Sequence, residues 1–524
     1  MGDEVRERRC ATGNVAADAA VKSQRWRTLT PLLYCFAASA DRMWPSLTCR
    51  WGPPVSAANA SAAGGARSRQ RLYLSEQTVG SSPNTLIAAH VDVALPRCTS
   101  ADAVARAWSD GNSSGVFRKG KTLFHPGEVN KIREVNGVAP AELVVTHSDC
   151  PEVFVWNLGA QPDRSGDGNK EPSVPNCLLV GHTANAEFAL ATAAASPAVA
   201  SGGKDKTVCL WHLGDASSSL LQPTASDTAA AAGAPAGRTS INSGGLGGLG
   251  SLPPPAPKLD PRMRFTGHTD TVEDISFHPT SDEQLCSVGD DSSLCFWDAR
   301  AGAVAVIKAC LLPLLCAARL CRLTRSAASQ VENAHGTADI HCCHWSRHDD
   351  ALVLTGSADA TVRLYDRRRA SSNPAAASAL VQTFAGHSAA VNVVEWCPDR
   401  SGVFASASED GMVNVWDTAR LGPTAAAASK GALPGLMFQH AGHAGCNVVD
   451  FNWSPAVPWT CVSVCEKPEG GGVIQLWRMS DLLYRPEAEV LAELEKHRES
   501  IMATKSPAAP AEGGEDGLDE PMDA

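Results

Sequence analysis

The chain has 524 residues, ample for a large core or several domains, and a formal net charge of −11. That charge excludes a surface built as a whole for nucleic acid and suits a basic partner instead. The 18 cysteines are scattered without a Cys-x-x-Cys pair and read as reduced core residues of a cytosolic or nuclear protein. No signal peptide is expected at the start. The most apolar run, 309–321, holds Pro313 and Arg319 and is too short to cross a bilayer, so no membrane partner is expected.

Taken in chain order, residues 1–17 have no core-forming pattern and read as disordered. Residues 18–42 read as an N-terminal helical segment, with Trp26, Leu29, Leu33 and Phe36 near helical spacing over 18–40. Residues 44–95 hold three strand-like runs, "WPSLTCRWG", "QRLYLSEQT" and "NTLIAAHVDVA". A loop-like stretch lies at 161–176, and the Ala/Gly/Ser/Pro-rich stretch 214–258 reads as a disordered insert. Residues 309–330 fit neither a solvent loop nor a strand; a lineage-specific insertion and translated intron sequence are the two readings. Residues 487–499 can form a helix, and the segment 486–524 ends in an acidic tail.

Between these lies a repeat. "GGKDKTVCLW", "SVGDDSSLCFWD", "TGSADATVRLYD" and "SASEDGMVNVWD" share one grammar. Six residues before each closing aromatic (Trp211, Trp297, Tyr365, Trp416) stands Asp205, Asp291, Asp359 or Asp410. Ten before it stands Ser201, Ser287, Thr355 or Ser406, and further upstream His182, His268, His335 or His387. Looser copies carry His125, Thr146, Asp149 and Trp156, and then His443 and Trp477. This is the WD40 pattern, in which a Trp N–H, a hydroxyl, an imidazole and a carboxylate satisfy one another in the core. Such sets mimic a catalytic triad, but they recur once per repeat, so they are structural and no enzyme is expected. Each repeat supplies about four short antiparallel strands, and the expected fold is an all-β, seven-bladed propeller over 43–485, closed by pairing of N- and C-terminal strands. "HCCH" at 341–344 reads as strand: adjacent cysteines point to opposite faces, so neither a metal nor a cofactor is expected.

Several stretches go beyond a generic repeat: "MWPSLTCRWGP", "QRLYLSEQT", "FHPGEVNKIREV", "THSDCPEVFVWNL", "HAGHAGCNVVDFNW" and "LWRMSDLLYRPEAEV". They resemble the histone-binding, retinoblastoma-associated WD40 proteins, nearest the FVE subgroup of the plant MSI class. The resemblance implies a nuclear, non-catalytic adaptor in histone deacetylase, Polycomb or chromatin-assembly complexes. It implies a first surface on the top of the ring for a basic histone H3 tail, carried by Glu128, Asn130, Glu187, Phe188, Glu273, Asp290, Asp291 and Asp339. Acids around a ring entrance focus negative potential, which agrees in kind. The sequence departs from the family at Ala390 and Asn392, where an acid and an aromatic are usual, which implies a weaker pocket there.

The second implied surface is a groove for a helix of histone H4, lined by Leu29, Leu33, Phe36 and Leu436. The loop at 421–435 that is acidic in many relatives has no acid here, so charge complementarity to H4 is lost. Finally, "WDAR" and "YDRR" end consecutive blades with Asp298, Arg300, Asp366 and Arg368. They resemble the box through which WD proteins dock on the DDB adaptor of cullin-4 ubiquitin ligases. A guanidinium there reaches either a partner carboxylate or the preceding Asp.

Overall fold

The computed structural model describes, apart from single positions within these spans, residues 29–55, 67–96, 116–137, 142–216, 256–300, 329–370, 379–421, 433–485 and 487–498, with Trp26 and 324–325. The readings made for 1–17, for 217–255 of the low-complexity insert, for 309–323, for 422–432 and for the tail 503–524 lie outside the described residues. Seven sheets of four or five strands form the ring, one per repeat. The first blade is built from Cys49–Trp51, Arg67–Glu76, Thr85–Ala94 and Phe117–Phe124. The fourth is built from Val272–Phe277, Gln284–Gly289, Leu294–Asp298 and Ser329–Val331.

Two expectations are corrected. The N-terminal helix does not reach residue 42. Helical residues extend to Leu33, and Tyr34–Arg42 is a strand. It pairs antiparallel with the closing strand Gly472–Met479, from Tyr34 opposite Met479 to Arg42 opposite Gly472. The spacing of Trp26, Leu29 and Leu33 is helical, but the following residues gain more by filling the vacant fourth place of the last blade. Without them the last blade would have three strands, with Gly472–Met479 as its uncovered edge. The second correction concerns 309–330. Its last part belongs to the sheets: Thr324–Arg325 pairs parallel with Met263–Thr266, and Ser329–Val331 supplies the outer strand of the fourth blade.

One device recurs at four of the seams between blades. N–H groups of one inner strand are accepted by a side chain of the preceding blade's inner strand. Asp450 Oδ2 accepts from Cys49 N at 2.9 Å and Thr48 Oγ1 at 2.8 Å. Asp274 Oδ2 accepts from Cys343 N at 2.9 Å, and His344 Nδ1 from Trp396 N at 3.0 Å. Glu395 Oε2 accepts from Trp453 N at 3.2 Å. These donors would otherwise be buried edge groups without partners.

The repeated polar sets are complete in two blades. In the fourth, Trp297 Nε1 donates to Ser287 Oγ at 2.7 Å, Ser287 meets His268 Nε2 at 2.7 Å, and His268 Nδ1 meets Asp291 at 3.0 Å. In the sixth, Trp416, Ser406, His387 and Asp410 do the same with contacts of 2.8, 2.7 and 3.0 Å. The third departs: His182 meets Asp205 and Ser201, but Trp211 donates to the Val180 carbonyl at 3.1 Å. His147 from the blade before occupies Ser201 instead, at 2.8 Å. Tyr365 likewise turns to the Ala334 carbonyl.

The residue after each turn aspartate is left-handed: Lys206 (φ 63°), Ser292 (56°), Ala360 (63°) and Gly411 (79°). Only the last suits its conformation without cost. Ala360→Gly is therefore expected to stabilise the chain by about 1 kcal/mol, read as a higher urea midpoint at unchanged slope.

Candidate functional site

In an antiparallel blade the loop that enters the inner strand and the loop between the second and third strands emerge at the same end. That places Glu128 and Asn130 (before Lys131–Glu134), Glu187 and Phe188 (before Leu190–Thr192), Glu273, Asp290 and Asp339 at one end, along consecutive blades two to five. Asp298, Arg300, Asp366 and Arg368, at the exits of third strands, lie at the other.

A repeated irregularity aims the key position. Each inner strand of blades four to seven carries a register shift near its start, between Val272 and Asp274, Ile340 and Cys342, Val391 and Val393, and Val448 and Asp450. The extra residues are Glu273, His341, Asn392 and Val449. A bulge takes its residue out of the ladder and redirects the side chain. Glu273 is thereby set among charges rather than in the sheet.

Four of the expected acids are electrostatically joined. Glu273 is pushed up to about 7, by burial first and then by the carboxylates of Asp290 and Asp274, with Glu187 adding to it and Lys131 opposing. Asp290 is raised too, by burial and then by Asp339 and Asp270. A carboxylate that is expensive to ionise because of its neighbours is relieved when a cation arrives. Lys204 pairs with Glu187 at 2.8 Å on the rim, with Phe188 about two-fifths exposed nearby. Lys131 and Asp270 were missed from sequence. The acid-rich "TDTVED" signalled the second, but nothing local places Lys131 against Glu273.

Two expected site residues, and Asn392 where the sequence departs from the family, are engaged within the fold. Asp291 is bonded to His268 and to the N–H groups of Thr269 and Ser293, so it builds the turn and faces no ligand. Asn130 is buried, its N–H given to the His147 carbonyl at 3.1 Å. Asn392 donates to the Val448 carbonyl at 3.1 Å and serves the seam between blades six and seven.

The apolar groove is likewise altered. Leu29 is more than a third exposed, Leu33 is half-buried, and Leu436 packs partly buried beside Trp396 and Trp416. Phe36 lies inside the core with Ala38, Val462 and Leu476, because the strand Tyr34–Arg42 turns it inward, and it lines no groove. The helix is tied down by a chain the sequence did not suggest. Trp26 Nε1 donates to Tyr34 Oη at 2.8 Å, Tyr34 meets His440 Nδ1 at 2.7 Å, and His440 Nε2 meets Gln475 Oε1 at 2.8 Å.

Inside the ring a cavity of about 410 Å³ is lined by Arg50, Lys131, Arg133, Asp274, Glu395 and Asp450 among others. Within it Arg50 grips Glu134 with two bonds of 3.0 and 3.2 Å and lies 3.9 Å from Glu395. Among the described residues no group of three His, Cys, Asp or Glu is placed to hold a metal.

Residues 22–94 match the family model for the histone-binding protein RBBP4 and its counterpart in the CAF1 complex. The WD domain, G-beta repeat model matches 174–212, 259–298, 328–366 and 378–417. The chain is 44% identical over 491 residues to the WD-40 repeat-containing protein MSI4 of Arabidopsis thaliana, covering 93% of this chain and 87% of that one. Fold and site thus define a non-catalytic, seven-bladed WD40 scaffold with an acidic end. The chain belongs to the histone-binding WD40 family of the RBBP4 and MSI class and acts as a histone-binding chromatin adaptor.

Proposed function

We propose that the chain is a nuclear adaptor that holds the unmodified H3 tail on its acidic end for a repressive complex of the histone deacetylase or Polycomb type. The observation that carries this reading is the coupled arc of Glu187, Glu273, Asp290 and Asp339. Glu273 and Asp290 in it are carboxylates that a Lys or Arg side chain would relieve. Glu128 and Phe188 extend the arc on either side of Glu187. An H4 helix would meet only Leu29, Leu33 and Leu436, without acidic help, so H3 is the stronger ligand.

Glu273 supplies the test. Its carboxyl is raised to about 7, so it is largely protonated at pH 6 and largely ionised at pH 8, whereas peptide Lys and Arg stay charged throughout. Affinity for an H3 peptide is therefore expected to rise by up to about tenfold from pH 6 to pH 8, by titration calorimetry. Affinity that is flat or falls over this window would separate the acid arc from binding.

A second reading rests on the opposite end. Arg300, Arg368 and Arg369 are each more than half exposed at the exits of adjacent blades, a site for the DDB adaptor of a cullin-4 ligase. Each fork is also held at home: Arg300 bonds Asp298 at 2.8 and 3.1 Å, and Arg368 bonds Asp366 at 2.8 and 3.0 Å. The double change Arg300→Ala plus Arg368→Ala is expected to abolish co-purification of the adaptor while H3 affinity stays within about twofold. Undiminished co-purification would sink the second reading and leave those pairs as local braces.

A further inference from the structure

The first blade concentrates positive charge at the end opposite the acid arc. Arg67 and Arg69 stand at the start of its strand Arg67–Glu76, Asp92 near the end of Thr85–Ala94, and Arg118 at the start of Phe117–Phe124. The pairing sets Arg69 opposite Asp92 and Arg71 opposite His90, with Arg118 opposite His90 on its other side. Alternation along the strands therefore brings Arg67, Arg69, Arg71, His90, Asp92 and Arg118 to one face of the sheet.

Asp92 is 4% exposed and is shared among the arginines. Arg69 bonds it with contacts of 2.7 and 3.1 Å, and Arg118 Nη2 stands 3.4 Å away. Its carboxyl is held below the ordinary carboxylate range, first by the bonds from Arg69, against burial, and then by the charges of Arg69, Arg118 and Arg67. Three guanidinium groups thus share one carboxylate, which leaves two positive charges without an anion. The other acids close by are occupied. Glu142 takes Arg71 at 2.6 Å and the Tyr73 hydroxyl at 2.8 Å, and Asp163 takes the N–H groups of Thr122 and Ser165. Among the described residues no acid lies in ion-pair range of Arg67 or Lys119, which are both exposed, and the Arg118 side chain is 60% exposed. His90 feels the surplus: burial and then Arg71 and Arg69 hold its imidazole below the usual value, and its buried Nδ1 has no partner.

The pattern selects the ligand. Guanidinium groups that converge on one point suit a single compact anion, whereas a nucleic-acid backbone is met along a row of phosphates, and the net charge of −11 opposes it. One carboxylate brings one charge where two are unmatched. A phosphomonoester brings a charge of about −2 at one centre, with three oxygens to receive the forks. We propose that this corner of the first blade docks a phosphorylated serine or threonine of a partner protein, held by Arg67 and Arg118 beside the Arg69–Asp92 pair.

The test uses the full purified chain, immobilised for surface plasmon resonance. The analytes are short Gly/Ser peptides that differ at one central position: phosphoserine, serine or glutamate. At pH 7.5 and low salt the phosphoserine peptide is expected to bind with a Kd below about 1 mM, at least about tenfold more tightly than the serine peptide. Arg67→Gln plus Arg118→Gln changes two exposed side chains and is expected to weaken it at least about tenfold, while H3 peptide affinity at the opposite end stays within about twofold. Equal binding of the phosphoserine and serine peptides would overturn the proposal, as would a loss below about twofold in a double variant with an unchanged unfolding midpoint. A glutamate peptide that binds as tightly as the phosphoserine one would overturn the choice of phosphate. A short DNA duplex bound more tightly than the phosphoserine peptide, and released by the same substitutions, would overturn it in favour of a nucleic-acid backbone.

Discussion

Replacing Glu273 by Lys is expected to weaken H3 peptide binding by about thirtyfold or more, a loss of about 2 kcal/mol or above. Two effects add. The change removes the carboxylate at the centre of the arc, the one whose ionisation Asp290, Asp274 and Glu187 all oppose. It also inserts a cation that pairs with Asp290 and neutralises the neighbour as well. The fold tolerates it, because Glu273 stands at a bulge outside the ladder and makes no bond that closes the ring. Glu128→Lys, farther along the rim, is expected to cost less, about 1 kcal/mol. Titration calorimetry on chains with matching unfolding midpoints checks both. Equal losses at the two positions would mean a diffuse field rather than a centred site.

The second large effect concerns the seam between the last and first blades. Asp450 is buried and accepts from Thr48 Oγ1, Cys49 N and its neighbour Phe451 N. The first two donors are some four hundred residues away in sequence. Asp450→Ala strands them in the interior and removes the anion facing Arg50, and is expected to cost about 3–5 kcal/mol. Asp450→Asn keeps an acceptor and is expected to cost roughly half as much. Urea unfolding of the two variants, followed by tryptophan fluorescence, checks the order. A cost below about 1 kcal/mol for the alanine would show that closure rests on the pairing of Tyr34–Arg42 with Gly472–Met479 alone.

What was legible in the sequence follows from what is local. His268, Ser287, Asp291 and Trp297 lie within one repeat, at spacings fixed by strand length, so the blade and its polar set could be read together. The same grammar also misled. Ser201 and Trp211 have the right spacing, yet His147 arrives from the blade before and takes the hydroxyl. Asp291 shows the opposite confusion: beside Asp290 in sequence, it turns inward to His268 while its neighbour faces the entrance. Phe36 was misplaced because helical spacing in 18–40 is a local signal, whereas capture of 34–42 by the closing strand depends on the other end of the chain. The bulge that aims Glu273 leaves no mark in composition or period, because it depends on strand register.

The most direct measurement is a calorimetric titration of the unaltered chain with an unmodified H3 N-terminal peptide at pH 8. One site with a Kd of about 1–10 μM is expected, the strength a few charge pairs on a preformed rim can give. No heat of binding from a chain that unfolds cooperatively would contradict it, and the acidic end would then have to serve a different basic ligand.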